Sequence, residues 1–231
     1  MKKRILSILL LCCMVLTLLP TTVLAADGPM DTIPKYDVSI DVYNRTSDIS
    51  IKDSRSYYIY SSVPDKLRDT WAWDKKIFIK GDKTAPHVFI DGVNIEMSPS
   101  SKGPAIELNK KASAYIYFIG KNSSLQGADG RAAIQKNRSE GQLYVLARTG
   151  TTVTCKGGDK AAGIGGSYAT RNISNGYYNG DMYGHGVNMH FGSQSNPDYW
   201  GGTIAAIGGN GGAGIGGGQG GSGEKLYFYS G

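Results

Sequence analysis

From residue 37 onward, apolar and polar positions alternate in short runs: "VSIDVY", "SYYIYS", "KKIFIK", "HVFIDGVNIE", "AYIYFI", "QLYVLA" and "KLYFYS". A period of two in β-branched and aromatic residues predicts short strands with one face buried. Apolar residues at helical spacing are absent after residue 26. The pattern predicts an all-β chain.

These strands belong to a repeat. Four segments align on their last isoleucine: "GVNIEMSPSSKGPAI" ending at Ile106, "GKNSSLQGADGRAAI" at Ile134, "GTTVTCKGGDKAAGI" at Ile164 and "GGTIAAIGGNGGAGI" at Ile215. The last two match column by column, Thr152 with Thr203, Val153 with Ile204, and Gly157-Gly158 with Gly208-Gly209. Each unit reads as a strand, a bend, a second strand, a glycine turn and a short "A-[AG]-I" step. One unit cannot bury its apolar face alone, whereas stacked units can, pairing strands at about 4.8 Å. The expected fold is a parallel β-helix, a solenoid of about five coils. The four isoleucines then form one inward column, each burial worth roughly 1.5–3 kcal/mol. The glycines between them turn the backbone at φ values that other residues reach only with strain, and let neighbouring coils approach. An antiparallel sandwich is the alternative, but tight Asn-Gly hairpin turns are scarce.

The interval from Ile164 to Ile215 exceeds one period, and the surplus defines a loop insertion at 168–200. Residues 37–231 are read as the β-helix, with 37–75 as irregular first coils and 26–36 as an extended lead-in. The chain stops at "KLYFYSG", which opens a coil, so a truncated C-terminus is expected. Residues 1–25 combine a basic "MKKR", the apolar "ILSILLLCCMVLTLLP" and a small-residue "VLA" before Ala26, the layout of a secretory signal peptide. The apolar run is short and followed by Pro20, so no membrane span is expected in the mature chain.

Removing the signal peptide changes the charge. The full chain carries +6, and without Lys2, Lys3 and Arg4 the balance falls to 22 basic against 19 acidic residues. That excess is too small to argue for a nucleic-acid partner. Of the three cysteines only Cys155 remains, so no internal disulfide framework is expected. Cys155 alternates with Val153 on one strand face and reads as a small buried hydrophobe.

The stretch "FIDGVNIEMSPSSKGPAIELNKKASAYIYFIGKNSSLQG", Phe89 to Gly127, resembles secreted β-helix carbohydrate-binding proteins of clostridial type. The motifs that carry the resemblance are "DGVNI", "GPAI" and a strand ending in an "N-x-L" turn. The units "AAGIGG" and "GGAGIGGG" resemble Gly-rich repeats of related β-helix surface proteins of gut Firmicutes. The resemblance spans roughly residues 37–231. It implies a right-handed coil, a secreted, extracellular location, and binding of plant cell-wall or acidic polysaccharide, with calcium as a candidate ion.

The insertion holds the candidate glycan-binding residues Tyr177, Tyr178, Tyr183, His185, Tyr199 and Trp200, interleaved with asparagine and aspartate. Aromatic rings stack on the apolar faces of sugars while amides and carboxylates meet the hydroxyl rim. A cap that packs its own aromatics over a coil would use the same residues. Asp129, Asp159 and Asp181 are turn acids that suit a hard cation such as calcium, although turn aspartates mostly cap backbone. His185 and His190 are too few to make a transition-metal site. Trp71 and Trp73 share one face, as a sugar platform or as a plug for the interior. No residue is assigned a catalytic role. The expected function is non-catalytic polysaccharide recognition outside the cell. A pectate-lyase-like polysaccharide lyase is the first alternative, for which Asp129, Arg131, Asp159 and Lys160 form a stacked candidate set. A structural or adhesive surface segment is the second.

Overall fold

The computed structural model describes residues 34–98, 103–109, 111–137, 140–168 and 184–229. It is all-β, with a single short 3-10 turn at Asp65–Leu67 among the described residues. All strand pairings there are parallel, which excludes the antiparallel sandwich. The strands lie in two curled sheets, an arrangement compatible with a parallel β-helix.

The smaller sheet is made of β2 (Ile49–Ile51), β4 (Ile77–Lys80), β7 (Ile106–Asn109), β10 (Ile134–Gln135), β12 (Ile164–Gly165) and β15 (Ile215–Gly216). Its register places Ile106, Ile134, Ile164 and Ile215 side by side as expected, and extends the column to Ile77 and Ile49. All but Ile215 are buried. Ile51, Ile79 and Leu108 form a second, shorter column beside it. The region 37–75, expected to be irregular, supplies in-register strands to both sheets.

The larger sheet divides at the long strand β11 (Leu143–Lys156). Its first arm runs β1 (Val38–Asp41), β3 (Ser56–Tyr60), β5 (His87–Asp91), β8 (Ala114–Ile119), the first half of β11, β13 (Gly186–Phe191) and β16 (Gly223–Phe228). Its second arm runs β6 (Asn94–Glu96), β9 (Ser123–Gln126), the second half of β11 and β14 (Gly201–Ile207). The stretch "VNMHF" at 187–191, a strand by its place in the repeat, is β13, so the surplus residues of 168–200 fall on either side of a strand of the first arm.

The two arms and the smaller sheet turn one side chain in two toward a common core. Ile59, Ile90, Phe118 and Ala147 from the first arm join Ile95, Leu125 and Cys155 from the second and the isoleucines of the smaller sheet. Trp73 is 3 % exposed, sits in this core and donates its indole N–H to the Arg45 carbonyl at 2.8 Å. Burial pushes the Cys155 thiol pKa well above its ordinary value, so it remains protonated, as expected of a core residue.

The repeated glycines work mainly through close approach. A Cβ on Gly158 would lie 1.9 Å from the Ala128 carbonyl oxygen, and one on Gly209 would lie 1.9 Å from the Gly158 oxygen. Neither has a positive φ, so of the two expected reasons the close approach of successive turns holds at these positions and the conformational one does not. Gly165 and Gly216, paired in β12 and β15, do follow the conformational rule, with φ of 129° and 132°.

Candidate functional site

The outward side chains of the two arms make two different surfaces. On the first arm, parallel in-register strands bring identical positions together at the strand spacing, so rings that share a position must stack. His87, Tyr115, Tyr144, His190 and Tyr227 do so, with centroids 4.7, 4.5, 4.4 and 4.6 Å apart and planes within 16° of parallel. A second column beside it stacks Tyr36 and Tyr60 on Tyr58, and Phe89 on Tyr117. The columns are cross-linked: His87 Nδ1 hydrogen-bonds the Tyr117 hydroxyl at 3.0 Å, and His190 Nδ1 bonds the Tyr229 hydroxyl at 3.0 Å. Tyr58 donates to Asp91 at 2.9 Å. Burial pushes the Tyr117 phenol up to about 12 and lowers the pKa of both histidines. At these spacings each ring covers its neighbour's face, and no sugar fits between. Within the run only ring edges meet solvent, while the terminal Tyr227, stacked on one side by His190, is 44 % exposed.

Trp200 belongs to this surface. It packs against Tyr117 at 5.1 Å and joins the cluster of Tyr58, Phe89 and Ile119, while Tyr199 meets its edge at 4.7 Å. Their loop is pinned by Thr149, whose backbone N–H donates to the Tyr199 carbonyl at 2.9 Å. His185 lies apart, its Nδ1 2.8 Å from the Ser222 hydroxyl. Tyr177, Tyr178, Tyr183 and Asp181 lie outside the described residues. Of the expected glycan-binding set, the structure therefore brings Tyr199 and Trp200 together, and it uses Trp200 as a cover over apolar rings.

The outward surface of the second arm is polar and concave. Asn94, Ser124 and Thr154 stand in register on β6, β9 and β11, with Asn122 and Thr152 beside them. They floor a groove of about 610 Å³ whose wall is the segment Asp65, Arg68 and Asp69. A smaller recess of about 140 Å³ shares Asp69, Asn94 and Ser124 and continues to Trp71 and Glu96. Both together fall in the size range of ligand clefts, roughly 300–1,000 Å³.

The wall is fixed by hydrogen bonds that the sequence order hides. The Arg68 guanidinium donates to the Gly92 carbonyl at 3.0 Å and the Val63 carbonyl at 3.3 Å. Asn94 donates its amide to the Arg68 carbonyl at 2.8 Å and accepts from the Ser124 N–H at 3.1 Å. Asn122 accepts from the Thr152 N–H at 2.8 Å. Asp65 pairs with Lys121 at 2.8 Å and with Arg68 at 3.4 Å, and the Lys121 ammonium lowers its carboxyl pKa. Trp71 is half-buried, set edge-on to Tyr43 at 5.4 Å.

Comparison with family models, curated proteins and solved structures returns no match. The site therefore stands on its own chemistry.

For calcium, the donor set is thin. Asp129 and Asp159 sit in stacked turns joined by the Gly130 N–H to the Asp159 carbonyl at 2.9 Å, but both carboxylates point into solvent, and Asp159 pairs with Lys160 at 3.9 Å. Among the described residues no three His, Cys, Asp or Glu come together to hold a metal ion. The groove went unnoticed in the sequence because its residues come from four separate stretches. The one available signal was the outward column Asn94, Ser124, Thr154, which appears only once the repeat alignment is continued onto its polar positions.

Proposed function

We propose that this chain is an exported, non-catalytic polysaccharide-binding protein, folded as a right-handed parallel β-helix, and that the polar groove of the second arm is its ligand cradle. The in-register parallel pairing at intervals near 28–30 residues supports the helical path, and the hand follows from the strong preference of parallel crossovers. The signal-like residues 1–25 and the resemblance of "DGVNI" and "GPAI" to clostridial-type carbohydrate-binding proteins support the location and ligand class.

The observation that carries the reading is the groove floor. It offers hydroxyl and amide groups on three successive strands, on a rigid sheet, with an indole at one end. Sugars present a matching rim of hydroxyls and apolar C–H faces. The basic groups are spent on structure: Arg68 holds two carbonyls and Lys121 holds Asp65. Neither is poised to abstract a proton, which favours binding over lyase chemistry.

Pull-down with insoluble polysaccharides and a glycan array test this. Thr154→Tyr, which fills the groove floor, is expected to reduce capture at least tenfold with an unchanged circular dichroism spectrum. Incubation with polygalacturonate is expected to yield no unsaturated, ultraviolet-absorbing product. Capture that survives Thr154→Tyr would place the binding elsewhere.

A further inference from the structure

We infer that the groove takes an uncharged polysaccharide, lying across the strands with about one sugar ring per strand, and rejects polyuronates. This rests on the polysaccharide reading above and specifies its ligand.

Direction comes first. The two recesses share Asp69, Asn94 and Ser124, so the open path leads from Thr152 and Thr154 on β11, past Ser124 on β9 and Asn94 on β6, to Trp71. It crosses the strands instead of following one. Successive rows are separated by the parallel-strand spacing, about 4.8 Å, which is close to the advance of one pyranose ring along an extended glycan. A chain in this path meets a similar polar group at each step, and its last ring reaches the indole of Trp71.

Charge decides the class. Asp65 is shared by Lys121 and Arg68, which leaves one net positive charge in the wall against the two carboxylates of Asp69 and Glu96. Asp69 and Glu96 line the recess near Trp71, and neither pairs with a cation among the described residues. A ligand carrying a carboxylate on every ring would bring negative charge toward both, with only committed cations to offset it. Hydroxyls, by contrast, can donate to those carboxylates and accept from Ser124, Thr152 and Thr154.

Native affinity electrophoresis of the full mature chain tests the inference, with hydroxyethylcellulose and galactan as uncharged probes and polygalacturonate as the charged one. The expected result is retardation by at least one uncharged glycan and none by polygalacturonate. Ser124→Tyr, at an exposed position shared by both recesses, should weaken that retardation tenfold or more. Oligosaccharides titrated by calorimetry should gain affinity up to about four rings and then level off, one ring for each of the three strands at the strand spacing and one at Trp71. Asp69→Lys combined with Glu96→Lys should allow polygalacturonate to retard the protein. Retardation of the parent by polygalacturonate that Ser124→Tyr abolishes would overturn the charge inference and leave the polysaccharide reading standing. Retardation by none of the three glycans, or retardation that Ser124→Tyr leaves intact, would sink both.

Discussion

The two halves of β11 carry opposite surfaces. Its first half places Tyr144 in a run of five stacked rings, and its second half places Thr152 and Thr154 on the floor of an open groove. Both use the same device, one outward side chain repeated at the strand spacing. With rings, the repeat closes on itself, because neighbours about 4.5 Å apart consume each other's faces. With short hydroxyls and amides it stays open: Asn94 and Asn122 spend their side-chain oxygens on the backbone N–H of Ser124 and Thr152 in the next strand, and the small Ser124, Thr152 and Thr154 leave the space above them unfilled. An aromatic surface on this protein is therefore chiefly a source of stability, and the polar surface is where a ligand finds room. Aromatic content alone, which pointed to the 168–200 region, does not separate these roles.

The largest expected effect comes from removing what both surfaces share. Ile164 is fully buried between Ile134 and Ile215. Ile164→Asp places a carboxylate in that column with no partner, a change worth more than about 4 kcal/mol. It should abolish the cooperative thermal transition followed by circular dichroism, and with it both the ring stack and glycan capture. Ile164→Val should cost only about 0.5–1.5 kcal/mol. A normal melt for the aspartate variant would mean that the column is not the core.

The next effect separates the surfaces. Tyr144 stacks on Tyr115 and His190 and donates its hydroxyl to Gln142. Tyr144→Ala removes two aromatic contacts of about 0.5–1.5 kcal/mol each, and should lower stability by about 2–3 kcal/mol in denaturant titrations. Glycan retardation at a temperature well below the melt should not change. Loss of binding at full folding would make the ring surface a ligand site and reverse the comparison.

A smaller pair of effects should cross over. Trp200→Ala uncovers Tyr117, Tyr58 and Phe89, and is expected to cost about 1–2 kcal/mol of stability while leaving retardation intact. Ser124→Tyr should do the reverse, since Ser124 is an exposed position whose side chain faces the groove. Melting and retardation measured on the same two proteins check this directly.

How far the sequence reached differs between core and surface for a physical reason. The register of Ile106, Ile134, Ile164 and Ile215 was legible because the glycines before each isoleucine mark a backbone that must pass close to its neighbour, as at Gly158 and Gly209. Ile49 and Ile77 extend the same column but lack that glycine signature, so 37–75 read as irregular. The groove was not legible. Asn94, Ser124 and Thr154 look like ordinary solvent-side positions of alternating strands, and the wall at 65–69 joins them only through contacts such as Arg68 to Gly92. Trp71 and Trp73, two apart, were read as sharing a face. Trp73 is in the core, and Trp71 packs partly on it while lining the recess beside the groove.

The smallest effect uses the two histidines to titrate one surface without the other. His87 ends the ring run and His190 lies within it, and burial holds both pKa values below the usual 6.5. The native state therefore binds fewer protons than the unfolded chain as the pH falls through about 6.5, and stability must fall over that window. His190 is buried and His87 half-buried, and for both the direction is the same: stability is lost as the imidazoles take up protons. Carboxylates such as Asp53, held at about 2 by its hydrogen bonds from Arg55 and Tyr57, titrate at much lower pH and do not blur it. His87→Phe with His190→Phe keeps a flat ring in each place and removes the titrating nitrogen. The double variant should melt at the same temperature at pH 7.5 and at pH 5.5, where the parent loses a few degrees, and its glycan retardation should match the parent's at both. A parent melt that does not move over this range would mean that the histidines carry no burial penalty, and that the ring surface is wetter than its stacking distances imply.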